Sequence, residues 1–465
     1  MIRFFSINDP YRLLVVLAFM LVMGVVAHRH LPEATYAETK GMVVGEMMTQ
    51  NLSLYEEIWD STPPLTSVTH WISVKLLDRD LALRRAISVF ILFLQAAILG
   101  FLLSNNRAFD QPGFLSSFIY AVLVFFSFDS VTYTREIWAS LFLMLSIDRV
   151  LRQIQFRDQD DSNLTLLGIF LGVSSLFVFS YAIFYLAILI ILILNSRPDL
   201  RQFLLFTLAF LFPHLLLFGY YYLNGNAWSL WLNFYIPNFE FNTKSFMDGF
   251  SLLVLAALPL TYTIFSLVVA LRNARMTKYQ SQIFQIMVFW LIFGVLEVWI
   301  ARQRTAQSLI VCAAPLAYLI NFYLIRIRRQ RIANVMIWIL VIGTLTIAGL
   351  GISNKISAID YSLNFPDNKK GWPFTEKKIL VLSDDISLFS KNQAAGFFPE
   401  WNLCSEVFKQ PGYYEHVETL NKAFLKNPPG IIIDPDGLMP GVFYYLPDQA
   451  KLYQKTGDGY IRQAQ

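Results

Sequence analysis

The chain alternates long apolar runs with short polar stretches, and eleven of the runs have the character of membrane spans: Leu13–Val26, Ile87–Leu103, Phe114–Phe128, Ile137–Leu151, Leu164–Phe179, Ile183–Leu194, Phe203–Tyr220, Phe250–Leu271, Ile283–Ile300, Leu309–Leu324 and Val335–Ile352. A span needs about 20 mostly apolar residues. Flanking Trp, Tyr and Phe extend the shorter runs into the interface. Around Ser180–Tyr181 a long apolar stretch is cut, which demands a very short turn. The polar stretch from His28 to Arg79 is too long for a simple connector. It holds a helical pattern at Thr66–Leu77, preceded by Pro63-Pro64, whose fixed φ makes a rigid corner. After Ile352 the apolar runs stop. In the tail, Lys378–Ser383 and Gly430–Asp434 read as buried strands, Tyr414–Lys426 as a helix, and Val442–Tyr445 with Ala450–Tyr453 as a later strand pair. The expected fold is a polytopic α-helical membrane protein of about 11 transmembrane helices with a small C-terminal extracytoplasmic α/β domain. The expected division is a membrane domain over 1–352, with a first outside loop over 28–80, and a tail domain over 353–465.

Composition sharpens this picture. Charged residues make up 15% of the chain and hydrophobic ones 55%, where a soluble protein carries about 25% charged residues. A soluble multidomain enzyme, a disordered chain and a disulfide scaffold are excluded. Cys312 lies in an apolar run and Cys404 in the polar tail, so no disulfide is expected, and no Cys/His cluster has zinc spacing. The tail lacks a glycine-rich phosphate loop. His28-Arg29-His30-Leu31 offers no small-residue cleavage site, so the first run reads as a span rather than a signal peptide. One set of short loops holds Arg107, Arg149, Arg152, Arg157, Arg197, Arg201, Arg272, Arg275, Lys278, Arg326, Arg328, Arg329 and Arg331. The opposite set holds only Arg135, Lys244, Arg302 and Arg304. The richer set is cytoplasmic by the positive-inside rule. The N-terminus is then cytoplasmic, and the long first loop and the C-terminal tail lie on the outside of the membrane in a multi-pass protein. Membrane lipids are expected partners; nucleic acid is not.

The most informative stretch runs from Leu31 through Tyr36-Ala37-Glu38 to Glu46, then from Leu54 to Trp59-Asp60-Ser61-Thr62-Pro63-Pro64-Leu65. An acidic cluster follows the first span, then a short helix, an aromatic-acidic piece, the Pro-Pro corner and a second helix. In type and order this resembles the C-type (GT-C) glycosyltransferase superfamily, most closely its lipid A aminoarabinose transferase and protein O-mannosyltransferase branch. A second echo is Arg304 followed by Ser308-Leu309-Ile310-Val311-Cys312-Ala313-Ala314-Pro315-Leu316-Ala317, which is similar to a late span of that family. The sequence departs from the family at Pro32, where an Asp is usual, and at Thr62, where many members carry a Lys.

The resemblance implies transfer of a sugar from a polyprenyl-phosphate donor to an envelope acceptor at the periplasmic face. Such a reaction needs a carboxylate to take or orient the proton of a weak nucleophile and cationic groups for the departing phosphate. Glu38 and Glu33 are the expected catalytic carboxylates. Asp60, Asp129 and Glu136 are supporting acids. Arg302 and Arg304, an outside basic pair against the charge bias, are the expected lipid-phosphate ligands, because guanidinium forks suit phosphate. Some relatives use a divalent metal, and the sequence leaves that open here. Glu297, one turn before the basic pair, is an intramembrane acid that needs a partner. Two other readings stay open: a non-catalytic GT-C-like subunit of an envelope complex, and a transporter or polysaccharide polymerase.

Overall fold

The structure, a computed structural model, describes residues 1–31, 34–156, 161–196, 198–240, 244–273, 276–365, 377–457 and 459–463. Each of the eleven apolar runs contains a helix. They are Arg12–His30, Leu81–Asn105, Leu115–Leu123, Arg135–Phe156, Asp161–Phe177, Ile183–Asn195, Leu200–Leu223, Gly249–Asn273, Lys278–Ile300, Ile310–Ile325 and Gln330–Ile352. Among the described residues, seven helices are long and apolar enough to cross a membrane. Three of the others fall short in length, the third run yielding a helix of only 9 residues before the chain turns through a 3-10 segment at Phe128–Val131. Arg135–Phe156 is long enough but carries Arg135, Glu136, Asp148, Arg149 and Arg152. The break expected near Ser180 is a 3-10 turn over Phe179–Ala182.

The chain divides into two compact units. One comprises Met1–Pro32, Leu81–Leu217 and Phe241–Asn364; the other comprises Glu33–Asp80, Phe218–Glu240 and Phe365–Gln465.

The first unit is the helical body. Ile310–Ile325 is its most enclosed candidate span, 83% buried over its apolar window including the 3-10 turn Ala306–Leu309. Two short parallel strands, β1 (Lys244–Ser245) and β2 (Gln303–Arg304), lie just before the Gly249–Asn273 and Ile310–Ile325 helices. Pro259 and Pro315 lie inside these helices, as membrane helices tolerate.

The second unit combines the first loop with the tail. Tyr36–Thr49 and Pro64–Leu77 pack together through Gly41 and Gly45. A Cβ on Gly41 would stand 2.2 Å from the His70 ring, and one on Gly45 would stand 2.8 Å from the His70 carbonyl oxygen. This G-x-x-x-G spacing permits the close approach. Pro64 begins its helix, where a missing N–H costs nothing.

The tail supplies β3 (Lys378–Val381), β4 (Gln393–Ala394), β5 (Ile431–Ile433), β6 (Tyr453–Thr456) and β7 (Gly459–Arg462), ordered β4-β3-β5-β7-β6. β3, β4 and β5 are parallel, and β7 is antiparallel to both β5 and β6. The helix Tyr414–Lys426 falls where its spacing predicts. The later strand pair is corrected: residues 439–445 and 447–450 are helical, and the strand starts only at Tyr453. Asp434 decides this. Its carboxylate accepts hydrogen bonds from the Leu438 and Met439 amides, at 2.8 Å each. It thereby satisfies orphan donors at a helix start.

Candidate functional site

In the second unit the first-loop acids have unequal surroundings. Glu38 stands three residues after Thr35, the N-cap of Tyr36–Thr49. The Thr35 Oγ1 accepts from the Glu38 amide at 3.2 Å, and Glu38 Oε2 accepts from the Thr35 amide at 3.0 Å. This is a capping box. The Thr35-x-x-Glu38 spacing announces it in the sequence, a structural duty that the motif resemblance passed over. Glu33 lies outside the described residues. Glu46, two turns further on, is gripped by Arg79, whose Nε and Nη2 donate to its two oxygens at 2.5 and 2.8 Å. The same guanidinium donates to the carbonyls of Phe389, Ser390 and Asn392.

Asp60 is fully buried. Its Oδ1 accepts from the Thr62 amide at 2.6 Å, an Asx turn leading into the Pro-Pro corner. Its Oδ2 is 3.1 Å from Lys40 Nζ. Lys40 also donates to Glu400 Oε2 at 2.8 Å, and that oxygen accepts from both the amide and the hydroxyl of Ser61, at 2.9 and 2.7 Å. A lysine thus bridges two carboxylates, all three groups nearly removed from solvent. Burial pulls the Lys40 pKa down, but Asp60 and Glu400 more than reverse this and hold it above its ordinary value. Beside them Tyr55 is buried in the left-handed region, φ 67°, and donates its hydroxyl to the Thr62 carbonyl at 2.7 Å. Burial raises its pKa well above normal.

Lys40 and Glu400 were missed by sequence reasoning. Lys40 carried one signal: a lone cation directly before the apolar stretch Gly41–Gly45 needs a buried anion. Glu400 carried none, being 360 residues away.

In the first unit, Asp129 is fully buried in a polar cluster. It accepts from Ser127 Oγ, and from Asn364 Nδ2 at 3.0 Å. Tyr361 and Ser127 share a hydrogen bond of 2.6 Å. Gln307 donates to the Asp129 carbonyl at 3.1 Å and to Thr132 Oγ1 at 2.6 Å. Burial, then the Asp129 charge, keeps the Tyr361 phenol well above its ordinary pKa. Glu136 pairs with Arg135 at 3.0 Å. Glu297 accepts from Ser180 Oγ at 2.6 Å.

Arg304 is buried, with its guanidinium 4.6 Å above the Trp299 ring. Its carbonyl accepts the Phe246 and Met247 amides. It lines a cavity of about 150 Å³ walled by Leu252, Ala256 and Leu260 of Gly249–Asn273, Leu291 and Val295 of Lys278–Ile300, and Cys312 and Leu316 of Ile310–Ile325. Among the described residues, Arg304 is the one charged side chain in that lining, and Arg302 is not part of it. A desolvated guanidinium at an apolar cavity fits an anionic head group with an apolar tail.

Among the described residues no three His, Cys, Asp or Glu side chains converge to hold a metal. Between Asp60 and Glu400 the place of a cation is taken by the Lys40 ammonium.

The whole chain is similar in fold to several solved structures. ArnT from Cupriavidus metallidurans bound to undecaprenyl phosphate matches with a TM-score of 0.59 at 13% identity, over 98% of each chain. The apo form of that protein matches at 0.56, also at 13% identity, over 97% of each chain. The oligosaccharyltransferase of Archaeoglobus fulgidus matches at 0.47 and 12% identity, over 97% of this chain and 74% of that one. The fold is therefore GT-C, as the sequence resemblance implies. No protein of curated function matches the sequence. A family profile matches residues 65–352, more than half of the chain, and by that match the protein belongs to the Family of unknown function (DUF6427).

Proposed function

We propose that this protein is an integral membrane glycosyltransferase. It moves a sugar from a polyprenyl-phosphate carrier to a lipid, glycan or protein acceptor at the periplasmic face of the inner membrane. The observation that carries the reading is Arg304, a buried guanidinium at an otherwise apolar cavity lined from three candidate spans. That combination suits a phosphate with an isoprenoid tail. The GT-C fold supports it, as does the undecaprenyl phosphate bound to ArnT.

In the reaction an acceptor hydroxyl or amide attacks the anomeric carbon. The bond from that carbon to the phosphate oxygen breaks, and the polyprenyl phosphate leaves with the electron pair. The acceptor's proton passes to a first-loop carboxylate, Glu38 or Glu33, with Asp60 as a supporting acid. Arg304, with Arg302 as the second cation, stabilises the departing phosphate. Asp129 and Glu136 are supporting acids, Asp129 through the cluster that holds Gln307 close to Arg304 in the chain.

Mass spectrometry of envelope glycans and glycoproteins, with and without the protein, tests the reading. Loss of one glycan on deletion, restored by the parent and not by Arg304→Gln at equal protein level, is the expected result. An unchanged glycan profile on deletion overturns it. The alternative is a GT-C-like subunit that binds the carrier without transfer. The engagement of Glu38 in a helix cap and of Asp60 in an ion pair favours it. It predicts that Arg304→Gln abolishes carrier binding while Glu38→Gln and Asp60→Asn leave the glycan intact.

A further inference from the structure

The stretch from Ala227 to Phe239 is helical throughout, an α-turn, a π-turn over Trp231–Tyr235 and a second α-turn. Its two faces differ. Leu230, Phe234 and Pro237 are buried. On the same inner side, Asn233 Nδ2 donates to the Tyr55 carbonyl at 2.6 Å and Asn238 Nδ2 to the Ser61 carbonyl at 2.8 Å. The other face presents Trp228, Trp231, Leu232, Ile236 and Phe239, all exposed, and the segment contains no charged residue. So contiguous an apolar face is costly against water. The candidate span Leu200–Leu223 ends four residues before Ala227, with Tyr220, Tyr222 and Leu223 exposed at its end. A segment entered directly from the end of a span starts at the depth of the headgroups, where Trp and Tyr concentrate.

We propose that residues 227–239 lie in the lipid surface as an interfacial clamp, with Trp228, Trp231, Leu232, Ile236 and Phe239 in the acyl boundary. Asn233 and Asn238 grip the Tyr55–Ser61 stretch from the inner side. The loop that bears Asp60 is thereby tied to the bilayer surface. The occupant of the apolar face is lipid rather than a second protein, because the face continues the apolar end of a span and offers no charge for partner selection.

Nitroxide labels at Trp228→Cys, Leu232→Cys and Phe239→Cys, in the full chain in phospholipid nanodiscs, test this. The native cysteines are both buried. Leu208→Cys, exposed on the span, is the lipid reference and Lys455→Cys, exposed in the tail, the water reference. Collision rates with oxygen and with a water-soluble nickel chelate are compared. The expected result is that the three labels match position 208, with a loss of nickel accessibility relative to position 455. Labels that match 455 overturn the proposal. So do labels shielded from both reagents, which would mean a protein cover. Three independent positions guard against one variant misfolding, and each is checked by gel filtration before labelling.

Discussion

Lys40→Met removes the ammonium that stands 3.1 Å from Asp60 and 2.8 Å from Glu400. Two carboxylates are left facing each other with almost no access to water. Breaking a buried ion pair from one side costs about 3–5 kcal/mol, because the partner's charge stays behind. For a unit of about 150–250 residues each kcal/mol is about 2–4 °C of melting temperature, so the expected loss is about 6–20 °C. The sign with pH follows from the raised lysine pKa. The stabilisation it represents is complete below the ordinary lysine value of about 10.4 and fades only as pH rises past it toward the folded-state value. The gap between parent and Lys40→Met therefore persists across the neutral range and narrows only in strong alkali. The assay is thermal unfolding of detergent-purified protein, followed by circular dichroism at several pH values. Adding Glu400→Gln to Lys40→Met removes one of the two opposed charges and recovers part of the loss. A Lys40→Met protein that melts within about 2 °C of the parent, or a double variant no better than the single, refutes the reasoning.

Three further outcomes are expected. Gly45→Ala drives a methyl against the His70 carbonyl, 2.8 Å away, and costs about 1–3 kcal/mol as overpacking, read in the same melt. Arg304→Gln weakens retention of polyprenyl phosphate about ten- to a hundredfold, since hydrogen bonds to charged groups carry about 1.5–3 kcal/mol; lipid mass spectrometry of the purified protein measures it, and retention equal to the parent's refutes the assignment. Asp129→Ala strips the acceptor from Ser127 and Asn364 and destabilises by about 1–3 kcal/mol through buried donors left without a partner, whereas Asp129→Asn keeps the shape and costs less.

The fold was legible where local pattern decides it. Apolar runs of span length and the 3.6-residue rhythm of Tyr414–Lys426 reappear as helices, because burial in lipid or against a sheet rewards one periodicity at a time. The pattern failed at Val442–Tyr445. An aromatic run of that kind suits a strand, but the Asp434 carboxylate, four and five residues ahead of the Leu438 and Met439 amides it accepts, caps the start of a helix there. The candidate site was legible only in part. Asp60, Asp129 and Arg304 do occupy buried polar or cavity positions, since a charge in an apolar setting is expensive unless it is used. Arg302 is half-buried and does not line the cavity. Lys40 and Glu400 depend on pairing across the length of the chain, and no window of sequence contains both.

That pairing imposes an order on biosynthesis. Lys40 and Asp60 leave the ribosome long before residue 400, and the 360 intervening residues take about 20–70 s at about 5–20 residues per second. Throughout that interval the ammonium has only one carboxylate to face, and the Ser61 amide lacks its acceptor. The first loop reaches its final charge balance only when the tail arrives. A chain truncated ahead of residue 400 keeps this defect, so the charge balance of the first loop depends on synthesis of the tail as far as its buried carboxylate.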